Sequence, residues 1–330
     1  MKKILIVTTL YRVGERIFPT IPTLSENYEL DVLLLYQMNP SYKWTGDNDL
    51  RKQFHTQYDK YFTNQYTDVK QLNYNEYDLI VCDDNRNRNG LDVIYNNKKC
   101  NVVACSHGNT NQNYQDIFHK KCFDYAFVFG EQEQNEHSFG VGIPSNDKLK
   151  HYHKRHKHIL LIVNFLGNRS APFKVKFDKD FIDKCGILDV QKIHNEPIIV
   201  KLKSRKDEGS YKNNISYIDS IFPSGTDYKI LIDVEDDNEL IADSMVVFSA
   251  PSTMAFKPIQ MGIPTVLIDG SGQTGLFKNY KGLLPLDKQT ILDYINTQQD
   301  NTEFINNTLS GGNTFTATDV FINQINKLIT

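Results

Sequence analysis

The chain has 330 residues, enough for two domains of ordinary size, with 40% hydrophobic and 23% charged residues. A formal net charge of -3 gives no electrostatic footprint for stable nucleic-acid binding, and five cysteines at spacings that match no zinc pattern support neither a disulfide framework nor a structural zinc. No run approaches the ~20 apolar residues that span a bilayer, and no small-residue cleavage site follows the short apolar start, so a cytoplasmic protein is expected, with peripheral membrane contact compatible with it.

In chain order, Ile4–Val7, Tyr28–Leu35, Tyr77–Cys82, Asn101–Cys105 and Tyr125–Phe129 read as strands. They are apolar on both faces, as parallel strands covered by helices are. Between the second and third, Gln37–Asn75 is polar and aromatic-rich, holds the only tryptophan (Trp44), and reads as an insertion or helical region at a domain edge. Gly140–Pro144 is rich in turn residues, and His151–His158 is a basic run that reads as a solvated linker. A second series follows at Ile159–Val163, Pro197–Leu202, Tyr228–Ile232, Met245–Phe248 and Thr265–Ile268, with helices expected over Lys179–Leu188 and Asn238–Asp243. In the tail, Val320, Phe321, Ile325 and Ile329 recur at helical spacing. The expected architecture is α/β: two Rossmann-like domains, 1–150 and 151–315, facing across a cleft, with 316–330 a helix packing back on the N-terminal domain.

In open α/β sheets, ligands bind beyond the carboxyl ends of the strands, so the loops after each strand carry the candidate chemistry. Ser249-Ala-Pro-Ser252-Thr253 runs from a strand into a helix start. Its three hydroxyls beside free backbone N–H groups form a candidate phosphate site, although such residues also simply cap helices. Lys201 and Lys203 share a strand face and Arg205 follows, a cationic strand end suited to a diphosphate. Asn168 and Arg169 follow the strand at Ile159–Val163, and an arginine fork suits phosphate. Gly270–Gly275 lacks the lysine of a P-loop, but Gln273 and Thr274 in it are candidates to reach a donor sugar or phosphate. In the first half, His107 sits after an apolar strand and before Gly108, where an imidazole can take a proton from a hydroxyl. Glu15, Asp84 and Glu131 are carboxylate alternatives. This asymmetry suits a phosphate-bearing donor on the second domain and a hydroxyl acceptor on the first. The acidic run Asp233–Asp237 precedes a helix, where acids are favourable anyway, so neither a metal nor a cofactor is assigned.

The pattern Ser249-x-x-Ser252-Thr253, then Gln260-x-Gly262-x-Pro264, resembles the second domain of GT-B-type glycosyltransferases. Within them it is most similar to the CDP-glycerol glycerophosphotransferase and capsule-polysaccharide branch. Ser106-His107-Gly108 resembles the His-Gly of that acceptor domain, and Gly142-Ile-Pro-Ser-Asn-Asp147 resembles its Gly-x-Pro-x-x-Asp entry to the linker. Arg169 after its strand resembles a family arginine, and Ile198–Lys203 the Ile-x-Lys-x-His-Pro strand. Two positions depart: Lys203-Ser204 stands for His-Pro, and Lys257 stands where the donor helix often carries an acid that grips a ribose. The resemblance implies a metal-independent transferase moving a sugar from a nucleotide-activated donor to a glycan, lipid-linked or other hydroxyl acceptor, in surface-polysaccharide or glycoconjugate synthesis. The alternatives are a CDP-polyol-phosphate transferase, a nucleotide-sugar 2-epimerase-like enzyme and a non-catalytic relative.

Overall fold

The computed structural model describes residues 1–8, 16–35, 56–83, 91–105, 123–163, 176–202, 211–232, 234, 236–268, 275–297 and 299–329. The chain divides into two compact units, 1–147 with 306–330, and 148–305. The first holds β1 (Lys3–Thr8), β2 (Glu29–Leu34), β3 (Asn64–Tyr66), β4 (Leu79–Asp83), β5 (Asn101–Cys105), β6 (Tyr125–Val128) and β7 (Ser138–Gly140). The second holds β8 (His158–Val163), β9 (Ile198–Leu202), β10 (Tyr228–Leu231), β11 (Ser244–Ser249), β12 (Thr265–Ile268) and β13 (Leu283–Leu284). The helices are α1 (Ile21–Asn27), α2 (Leu91–Asn97), α3 (Lys179–Lys184), α4 (Ile187–His194), α5 (Tyr211–Ile221), α6 (Asp237–Ala242), α7 (Phe256–Gln260), α8 (Lys288–Asn296), α9 (Thr302–Thr308) and α10 (Ala317–Ile329).

Each unit is one parallel sheet with helices on both faces. The orders are β3-β2-β1-β4-β5-β6-β7 and β10-β9-β8-β11-β12-β13, so the chain winds outward from the centre, returns, and winds the other way. The reversal falls between β1 and β4 in the first sheet and between β8 and β11 in the second. Burial on both faces explains the two-sided apolar strands. In the first sheet Ile4, Ile6, Leu30 and Val32 join Phe321 and Ile325 of α10 in one cluster, while Leu5, Val7, Ile80 and Cys82 pack with Leu91 and Ile94 of α2 in another.

Every strand run expected from the sequence is a strand. The short edge strands β3, β7 and β13 were not expected. They span two or three residues each, too few for a period to show. In Gln37–Asn75, where a helical region was one expectation, the described part holds helical residues at 56–58, β3 and 3-10 turns at Asp59–Tyr61, Val69–Gln71 and Tyr74–Glu76. A buried carboxylate recruits that edge. Asp31 accepts from the Asn64 amide at 3.0 Å and the Tyr77 hydroxyl at 2.9 Å, and Lys3 lies 3.0 Å away. The helix expected over Lys179–Leu188 is two helices, because Gly186 stands between them at φ +73, a left-handed conformation that ends α3.

The second unit ends at Ile305, so the chain rejoins the first at Asn306, earlier than the 316 suggested by helical spacing. Residues before α10 already dock there: the Ser310 amide donates to the Phe129 carbonyl at 2.9 Å. Gly142, at φ +72, leaves room for this; a Cβ on it would lie 2.1 Å from the Ser310 carbonyl oxygen. Asp147 then accepts from the Ala317 and Thr318 amides, at 2.9 and 2.7 Å, capping α10 with both carboxylate oxygens.

Candidate functional site

The segment after β11 lies at the reversal point of the second sheet, where an open α/β sheet leaves a crevice for ligand. Ser249 ends β11 fully buried, and its hydroxyl donates to the Ala250 carbonyl at 2.7 Å. That hydroxyl's proton is engaged within the turn. Ser252 is extended (φ −155, ψ 157) and precedes a 3-10 turn, Thr253–Ala255, which runs directly into α7. It stands in the N-cap position, yet its side chain makes no capping hydrogen bond. Its Oγ is buried and has no partner among the described residues. A buried hydroxyl without a partner costs on the order of 1–3 kcal/mol unless something supplies one. Half-buried Thr253 follows it. The turn is held from behind, where Phe256 stacks on Phe277 at 4.6 Å and Phe277 on Phe304 at 6.0 Å.

Two strands away, Lys201 near the end of β9 forms an ion pair with Asp237 at the start of α6, Nζ to Oδ1 3.2 Å. Asp236 caps α6, accepting from the Asn238 amide at 2.8 Å and, through its other oxygen, from the Tyr152 hydroxyl at 2.8 Å. Burial works to raise the Asp236 carboxyl, but the hydrogen bonds from Tyr152, Asn238 and Glu239 and the charge of Lys148 hold it below the usual carboxylate range. Arg155 of the basic run pairs with Glu239 and Asp243, and Lys157 with Asp243, so part of that run is fastened to α6 rather than solvated alone. An open groove of about 660 Å³ runs beside these groups, lined among others by Lys148, His158 and Glu239, but its carboxylates Asp236, Glu239 and Asp243 are already engaged.

No protein-family model matches the chain, and no curated protein matches it by sequence. Solved structures match it along nearly its whole length. The UDP-GlcNAc 2-epimerase of Methanocaldococcus jannaschii, in complex with UDP-GlcNAc and UDP, aligns with a TM-score of 0.61 at 12% identity over 99% of this chain and 100% of that one. HepE of Anabaena, in complex with UDP and glucose, aligns with a TM-score of 0.59 at 12% identity over 99% and 100%. MurG of Acinetobacter baumannii aligns with a TM-score of 0.57 at 9% identity over 99% and 100%. The fold is GT-B-like.

On a GT-B-like frame the sequence-predicted site residues fall as follows. Lys201, Ser249, Ser252 and Thr253 lie at the carboxyl edge of the second sheet. Glu15, Asp84, His107, Asn168, Arg169, Lys203, Arg205, Gln273 and Thr274 lie outside the described residues. In sequence they follow β1, β4, β5, β8, β9 and β12.

At the first sheet's edge the structure adds two groups that the sequence reading passed over. The Arg16 guanidinium lies over the Phe129 ring, 4.2 Å from its centre, and Glu133 accepts from the Phe129 amide at 3.1 Å. Burial pushes the Glu133 carboxyl up, against the Phe129 hydrogen bond and the charge of Arg16. The loop Gly130–Glu133 was legible as a post-strand connection; the burial of one of its acids was not. Among the described residues no group of His, Cys, Asp and Glu could hold a metal ion, and no helix is long and apolar enough to cross a membrane.

Proposed function

We propose that this protein is a transferase that moves a sugar from a nucleotide-diphosphate donor to a hydroxyl acceptor. The observation that carries the reading is the unpartnered, buried Ser252 hydroxyl at the reversal point of the second sheet, in a turn preceding α7. Donor phosphate oxygens would accept from Ser252, Thr253 and Lys201. Asn168, Arg169, Lys203, Arg205, Gln273 and Thr274 complete the proposed donor set. Structures of the same fold are described with UDP or a UDP-sugar bound, which supports a nucleotide donor.

The proposed chemistry is direct displacement at the activated carbon. His107 takes the proton of the attacking hydroxyl, with Glu15 and Asp84 as the alternative bases. Backbone N–H groups and hydroxyls at the Ser252 turn stabilise the departing diphosphate. Surface-polysaccharide or glycoconjugate synthesis on the cytoplasmic side, with peripheral contact to the membrane, belongs to the same proposal. A second reading, a nucleotide-sugar 2-epimerase, has specific support in the epimerases that share the fold.

One experiment separates these readings. The protein is titrated with UDP-, CDP- and dTDP-linked sugars and CDP-glycerol by calorimetry, and each binder is then incubated alone and with hydroxyl acceptors. The transferase reading expects donor binding and acceptor-dependent loss of donor. An isomerised sugar nucleotide formed without acceptor establishes the epimerase instead. Turnover of CDP-glycerol alone among the donors moves the assignment to a polyol-phosphate transferase, and no binding by any donor overturns both nucleotide readings.

A further inference from the structure

We propose that Asp237 is a built-in counter-ion that sets how tightly the second unit holds a diphosphate, acting through Lys201. The inference rests on the nucleotide-diphosphate reading above. Lys201 shares a strand face with Ile199, which packs against Leu160, Ile162 and Ile241 beneath α6. It is in register with Ile162 of β8, and Ile162 with Ser249 of β11. Lys201 and Ser249 are thus two strand spacings apart, about 10 Å, at one edge of the sheet. That is a span a diphosphate can bridge between the lysine and the Ser252 turn.

The Lys201 side chain is 14% exposed and its ammonium lies 3.2 Å from Asp237 Oδ1. That oxygen is buried and makes no aligned hydrogen bond, so the contact is held by charge. Asp237 also sits in the first turn of α6, where a carboxylate is favourable, but it is not the cap. The cap of α6 is Asp236, and the basic run is fastened by Asp236, Glu239 and Asp243. A lysine ammonium has three N–H donors, and a contact held by charge leaves donors for phosphate oxygens. The carboxylate therefore fixes the direction of a flexible side chain and also cancels its charge. An arriving diphosphate meets a neutral pair instead of a bare cation. The consequence falls mainly on release, because a free nucleoside diphosphate carries more negative charge than the same group esterified to a sugar. A site built on uncompensated cations would hold that product longest.

The test uses the full chain and four variants. Asp237→Asn keeps the shape and an acceptor oxygen but removes the charge; Asp237→Ser removes the charge with a smaller side chain. Asp237→Glu keeps the charge, and Lys201→Met removes the cation. Each is titrated calorimetrically with UDP, CDP and inorganic pyrophosphate at low and moderate salt, after thermal melting has shown which variants are folded. We expect the Asn or Ser variant to bind about tenfold more tightly, with a steeper loss of affinity as salt rises. Asp237→Glu should stay near the parent and Lys201→Met should bind more weakly. In turnover, the uncharged variants should lower KM and kcat together, as slow release dictates and a merely structural role does not. Unchanged or weaker binding by the uncharged variants, in a protein whose parent form binds UDP or CDP, overturns the counter-ion role and leaves the nucleotide reading standing. No binding of any of the three probes by any form overturns the nucleotide reading and this inference with it.

Discussion

Two helix starts in this molecule are used differently. At α10, Asp147 reaches across from the end of the first unit's main run and satisfies two backbone amides with its two oxygens. At the turn leading into α7, Ser252 occupies the capping position and makes no capping hydrogen bond, while its hydroxyl is buried without a partner among the described residues. Asp178, Asp236 and Asp287 also cap α3, α6 and α8 through their side chains; Thr20 before α1 makes no cap either, but its hydroxyl donates to the Ile17 carbonyl instead. A cap that is filled fastens the fold. A cap position left open at the carboxyl edge of a parallel sheet is where a ligand can finish the hydrogen bonding.

The largest effect is expected from breaking the fastening side. Gly142→Ala puts a Cβ at a left-handed φ and against the Ser310 carbonyl, and should cost about 3 kcal/mol in urea titration through strain and overpacking. Asp147→Ala strips the cap of α10 and should cost about 1–2 kcal/mol. Asp147→Asn should recover part of that, and neither change at 147 should alter nucleotide affinity in the folded protein. A shift in affinity as large as the loss in stability would erase the distinction between the two helix starts.

The open side should respond in the opposite sense. Ser252→Ala removes a buried hydroxyl that has no partner, so stability should hold or rise by up to about 1 kcal/mol. UDP affinity should meanwhile fall about tenfold, the worth of a hydrogen bond to a charged group. A Ser252→Ala protein that is destabilised like the Asp147 variants would show that the hydroxyl caps the turn after all.

How much of this was legible in the sequence depends on which interactions carry each feature. The ten long strands were legible because burial on both faces writes a run of apolar residues into each. The edge strands were not: β3 reads Asn-Gln-Tyr and is held by Asp31, more than thirty positions away. The sequence Gly142 to Asp147 stood out as a motif, but its task was hidden because it serves Ser310 and Ala317, which only the fold brings near. At the site, Ser249, Ser252 and Thr253 were equivalent as hydroxyls near a helix start. The structure separates Ser249 from Ser252 by what each hydroxyl already bonds, which a local sequence window cannot encode. Lys201 was legible as a cation on a strand end; its pairing with Asp237 is again a long-range fact.

His158 sharpens the comparison most finely, because it too carries a buried polar atom with no partner among the described residues, Nε2, but at the start of β8 rather than beyond the carboxyl end of a strand. Burial lowers its proton affinity, opposed by a hydrogen bond with the Leu240 backbone and by Asp243 and Glu196, and aided by Lys157. Above the ordinary histidine value of 6.5 the ring is neutral whether the chain is folded or unfolded, and it adds nothing to the pH dependence. As pH falls below 6.5 the unfolded chain takes up a proton that the folded chain refuses, so stability declines until the lowered folded value is reached, and is flat below it. The slope cannot exceed that of one proton, about 1.4 kcal/mol per pH unit. Replacing the ring in His158→Leu should therefore reduce the loss of stability between pH 6.5 and pH 5 in urea titrations, and leave UDP affinity at pH 7.5 unchanged. A loss of affinity in this variant would mean that an unpartnered buried atom at either end of the sheet reports on the ligand, and position at the carboxyl edge would no longer be what singles out Ser252.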